Sequence, residues 1–93
     1  MKKRTFASVW DAIENAPETA ASMRMRAELM IAVQRYVDAG GETQSRAAKQ
    51  LGITQPRLND LLRGRIEKFS LDALVNMLAR VGRQVDVKIK KAA

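Results

Sequence analysis

The sequence predicts an all-α bundle of about five helices followed by one C-terminal β-strand. Three observations predict it. Apolar residues recur at three- and four-residue spacing through several consecutive segments, the pattern of helices with one buried face. Thr, Ser, Pro and Gly fall between those segments, where helices start and stop. The closing stretch "QVDVKIK" then switches to strict alternation: Val85, Val87 and Ile89 against Asp86, Lys88 and Lys90. A period of two is that of a half-buried strand.

The elements follow in order. "MKKR" reads as a basic arm, and "SVWDAIENA" as a short helix with Val9, Trp10 and Ile13 on one side and Ser8 as its cap. Asn15-Ala16-Pro17 breaks it, and Pro17 suits the first turn of the next helix, with Glu18 at the positive dipole end. In "MRMRAELMIAVQRYVDAGG", Leu29, Met30, Val33, Tyr36 and Val37 form the apolar stripe. Met23 and Ile31 lie off that stripe, which suits either a helix central to the domain or one with a face left for a partner. Gly40 and Gly41 end the helix. Thr43 caps "QSRAAKQL", Gly52 closes it, and Thr54 caps a further short helix that runs to Gly64. Ser70 caps "LDALVNMLARV", whose Leu71, Leu74, Val75, Leu78 and Val81 line one face, and Gly82 stops it.

Composition narrows the chemistry. A chain of 93 residues, 46% of them hydrophobic, makes one domain with one core. It contains no Cys and no His. Disulfides, thiolate and histidine catalysis, and histidine metal ligation are therefore excluded. There is no phosphate-cradling loop and no paired-carboxylate signature, so an enzyme, a cofactor or a bound metal is not expected. The apolar runs are too short to span a bilayer, and the N-terminus has no signal-peptide core; the expected location is cytoplasmic, with no membrane partner. The net charge of +7 lies wholly within residues 43–93, because residues 1–42 carry six basic and six acidic side chains. A basic half of that kind suits a polyanion.

The stretch "QSRAAKQLGITQPRLNDLLR" gives that half a specific form. Two helices crossing through a short turn need small residues at the crossing, which Ala47 and Ala48 supply. The turn needs a residue tolerant of positive φ, which Gly52 supplies. Leu58, Leu61 and Leu62 point back, joined by Leu51 and Ile53. Gln55, Arg57, Asn59 and Asp60 are then left outward near the start of the second helix. Gln and Asn bond bidentately to adenine and Arg to guanine in the major groove. Gln44 and Thr54, at helix starts, suit phosphate contacts, and Arg63, Arg65 and Lys68 extend the positive surface. Asp60 is out of character; it could accept from a cytosine amine, but a local ion pair with Arg57 or Arg63 is the favoured reading. The expected DNA-binding set is thus Gln44, Thr54, Gln55, Pro56, Arg57, Asn59, Asp60, Arg63 and Arg65. An ordinary helical hairpin with a solvated polar face is the competing explanation.

These residues resemble the XRE family of phage-repressor-like helix-turn-helix regulators, with "TQSRAAKQLGITQPRLNDLLRGR" and "FSLDALVNMLARVG" carrying the likeness. Over nearly the whole chain, "FASVWDAI", "MRMRAELMIAV", "GITQPRLNDLLRGRIEKFSLDALVNML" and "VDVKI" resemble the short HigA-type antitoxins. Pro56 departs from many repressors but is tolerable in a first turn, where N–H groups lack helical partners. The resemblance implies an antitoxin that dimerises, represses its own operon at a palindromic operator, and neutralises a RelE/ParE-type toxin. A stand-alone regulator shares the same layout. For a toxin, Phe6, Trp10 and Ile13 in the acidic stretch from Phe6 to Glu18 are the expected partner-binding residues, although the same side chains could simply cover the chain's own core.

A lone tail strand leaves N–H and C=O groups unpaired. Pairing Val85, Val87 and Ile89 with the same tail of a second copy is the expected solution; "TFASV" or a sheet edge of the toxin are alternatives. The chain accordingly divides into an arm and short helix (1–20), the helix-turn-helix domain (21–83), and a strand with a basic tail (84–93).

Overall fold

The computed structural model describes residues 17–91. Among them are four α-helices, α1 (Pro17–Gly40), α2 (Gln44–Leu51), α3 (Gln55–Leu62) and α4 (Leu71–Arg80), with a 3-10 turn at Ile66–Lys68. The expected helix over residues 8–16 lies outside the described residues. α1 is one unbroken helix of 24 residues opened by Pro17, with Glu18 in its first turn. At 1.5 Å per residue it is about 36 Å long, enough to lie along the other helices.

The core is drawn from all four helices and one loop residue. Leu29, Met30 and Val33 come from α1, Ala47, Ala48 and Leu51 from α2, Leu58 and Leu61 from α3, and Leu74, Met77 and Leu78 from α4, with Phe69 between α3 and α4. No polar or charged residue is buried among the described residues. Tyr36, Val37, Leu71 and Val81 pack at its edge. On α4 the expected face is rotated slightly: Met77 is buried and Val75 is exposed. On α1, Ile31 remains 45% exposed.

The C-terminal strand does not form: no strand occurs among the described residues, and residues 83–91 have no regular structure. The expectation of a strand through Val85, Val87 and Ile89 is therefore corrected. Val85 packs against the core, whereas Val87 is 65% and Ile89 87% exposed. The reason is physical. A strand needs a second backbone for its N–H and C=O groups, and the described residues offer none.

Candidate nucleic-acid interface

α2 and α3 are short, at eight residues each, and neither would be stable alone. Their docking makes them stable. Ala47 and Ala48 of α2 are buried, and Leu58 and Leu61 of α3 are 0% exposed. Both helices begin with a side-chain cap. Thr43 Oγ1 accepts from the Arg46 N–H at 3.2 Å, and Thr54 Oγ1 accepts from the Arg57 N–H at 3.3 Å.

The turn between them is closed at Gly52, whose φ of +77° is the left-handed conformation that favours glycine. The Gly52 N–H donates to Lys49 O and the Ile53 N–H to Ala48 O, the paired bonds of a Schellman ending. A Cβ at Gly52 would collide with the Arg80 side chain. α3 ends in the same way: the Gly64 N–H donates to Leu61 O at 3.0 Å and the Arg65 N–H to Asp60 O at 3.1 Å. The side chains of Asp60 and Arg65 occupy the positions where such an ending usually makes an apolar contact. Here they form an ion pair of 3.1 Å.

The expected site residues and the cations beside them fall into three groups. Gln44, Gln55, Pro56 and Asn59 are exposed and line one open depression at the N-terminal ends of α2 and α3. Gln55 and Asn59 are four residues apart, so they share a face. Thr54 is exposed beside them; its oxygen holds the cap, and its hydroxyl proton is still free to donate.

Arg57 and Asp60 behave differently from the other members of the set. Arg57 is half-buried, with its guanidinium 4.5 Å from the centroid of the Phe69 ring and Nη1 donating to Lys68 O at 3.4 Å. It stacks on its own chain rather than standing beside Gln55. Asp60 forms its ion pair with Arg65, not with Arg57 or Arg63. The chain reverses at Gly64, where φ is +75°, and that brings Arg65 back over α3. Arg63 is exposed and makes no ion pair among the described residues.

The last group is the one the sequence reading left out. Arg46 and Lys49 are exposed and line a second open depression with Gln50 on the outside of α2. Arg46 also pairs with Glu42 at 3.0 Å. Their spacing was the available signal: they alternate with Ala47, Ala48 and Leu51, which face inward. Phe6, Trp10 and Ile13 lie outside the described residues. No helix among the described residues is long and apolar enough to cross a membrane.

Comparison with known proteins agrees with this geometry. A family profile described as a helix-turn-helix domain matches residues 13–90. A solved structure provisionally described as an XRE-family transcriptional regulator superposes with a TM-score of 0.71 at 29% identity, covering 78% of this chain and 82% of that one. No curated protein matches the chain.

Proposed function

The chain belongs to the helix-turn-helix domain family, and we propose that it is an XRE-type transcriptional regulator that reads duplex DNA by laying α3 in the major groove. One observation carries this reading. Gln44, Gln55 and Asn59 converge on a single open face, while Leu58 and Leu61 of the same two-helix unit are fully buried behind it. Gln55 and Asn59 offer both a donor and an acceptor, the pair needed for two bonds to adenine. Gln44 and Thr54 sit at helix starts, where hydroxyl, amide and backbone N–H groups suit phosphate oxygens. Arg46, Lys49 and Arg63 add salt-sensitive attraction.

Arg57 is assigned a different role from Gln55 and Asn59. Stacked on Phe69, its guanidinium supports the basic surface near Lys68 and does not read a base. Asp60 holds Arg65 in place.

An eight-residue α3 is about 12 Å long and spans about three or four base pairs. So short a reading head favours two copies on two half-sites about 34–36 Å apart. We place the contact between copies on the exposed Val87 and Ile89, with Val85 committed to its own core. Selection from a randomised duplex library tests the reading. A recurring motif should emerge, with affinity falling steeply as salt rises. Enrichment of no motif would contradict it.

In this proposal the protein acts as a stand-alone regulator. Toxin neutralisation has behind it the resemblance and the acidic stretch bearing Trp10. Its test is co-purification: Trp10→Ala should weaken capture of a RelE/ParE-type toxin and spare duplex binding.

A further inference from the structure

α1 takes no part in the reading face, yet it makes one directed contact with the reading helix. Gln34 Nε2 donates to Leu61 O at 2.9 Å, across 27 residues of chain. A carbonyl oxygen only accepts, so the amide nitrogen must be the atom that meets it. Leu61 O already accepts from the Gly64 N–H at 3.0 Å. Both of its lone pairs are therefore used, and the closing turn of α3 is fastened to α1.

Val33 of α1 and Leu58 and Leu61 of α3 also belong to one apolar core. Apolar burial has no preferred direction of its own, so packing alone fixes the helix crossing less sharply than packing with a directed bond added. A hydrogen bond has a preferred length and angle. From these observations we infer that Gln34 is a positioning residue: it sets the pitch of α3 and thereby the discrimination between base pairs. The inference rests on the DNA-reading role proposed above.

The lever arm makes the effect selective. α3 is about 12 Å long, held at Leu61 and reading from Gln55 and Asn59. A slip of about 1 Å at the held end, pivoting about the capped start of α3, tilts the axis by roughly 5° and shifts Asn59 by about 0.5 Å, the tolerance of a positioned contact, while Gln55 near the pivot moves less. Two-bond contacts to a base edge lose their fit, whereas flexible cationic contacts to phosphate follow the movement. Specificity should fall and general affinity should not.

A matched control exists on the same helix. Tyr36 Oη donates to Gln50 Oε1 at 2.9 Å, so α1 also makes a polar contact with the last turn of α2. That contact involves the helix expected to meet phosphates.

The test compares Gln34→Met, which keeps the length of the side chain but removes its donors, with Tyr36→Phe. Each is measured against the duplex selected by the parent protein, its single-base-pair variants, and random duplex. For Gln34→Met the ratio of selected to variant affinity should fall about tenfold, at the low end of one lost base contact. Random-duplex affinity and its salt slope should match the parent, and Tyr36→Phe should keep the ratio. In the free protein, Gln34→Met should speed amide exchange at Gly64 and Arg65, in the closing turn, relative to the amides of α3. An unchanged ratio would overturn the inference, as would equal loss on every duplex or unchanged exchange. If the parent selects no duplex at all, the DNA-reading role falls and this inference with it, whatever the exchange data show.

Discussion

α3 and the tail over residues 83–91 are nearly equal in length and carry apolar residues at equally regular spacing, yet one is structured and the other is not. α3 meets the hydrogen-bonding needs of its backbone internally, and Thr54 and the turn at Gly64 satisfy the ends. Only its leucines need a neighbour, and α1 and α2 provide one. The tail has the alternation of a strand but no second backbone to pair with. A helical period names an element whose backbone hydrogen bonds lie within the segment, even where docking must stabilise it. A strand period names only half of one.

Substitutions can break or sharpen that contrast. The largest effect should come from Leu58→Ala, which empties a fully buried site in α3. A loss of about 2–5 kcal/mol is expected, read as a lower midpoint in denaturant with helical circular dichroism lost in one transition. Gly52→Ala comes next. A side chain in the left-handed region costs about 1–2 kcal/mol, and Arg80 must also move. Thermal melting should show the loss, and Gly52→Asn should recover part of it. Thr54→Ala should cost about 1 kcal/mol in a denaturant titration by freeing the first turn of α3. The smallest effect belongs to the tail. Ile89→Ser should change the stability of a single copy, measured at a concentration where copies are dissociated, by less than about 0.5 kcal/mol. A loss as large as that of Leu58→Ala would show that the tail is part of the folded core and erase the contrast.

What could be read from the sequence follows the same division. Thr43, Thr54 and Ser70 all cap the helices they were expected to cap, because a cap depends on the next three residues alone. Gly52 was legible for the same reason. The buried faces of α1, α2 and α3 followed from periodicity, with Val75 and Met77 exchanged on α4. Contacts made across the fold were hidden. The stacking of Arg57 on Phe69, twelve positions later, could not be read from its helix position. Asp60 was paired by helical spacing with residues three away, but the helix ends at Leu62 and the chain folds back at Gly64. Gln34 carried no signal, because nothing in α1 shows that the last turn of α3 lies within reach of its amide.

The central claim is that the start of α2 and the outer side of α3 meet DNA. A map of amide shifts by nuclear magnetic resonance, as a selected duplex is titrated in, tests it most directly. The account predicts the largest changes at Gln44, Gln55 and Asn59, with smaller ones at Arg46, Lys49 and Arg63 and little along the exposed side of α1. Changes centred on α1 or the tail, with Gln55 and Asn59 unmoved, would contradict it.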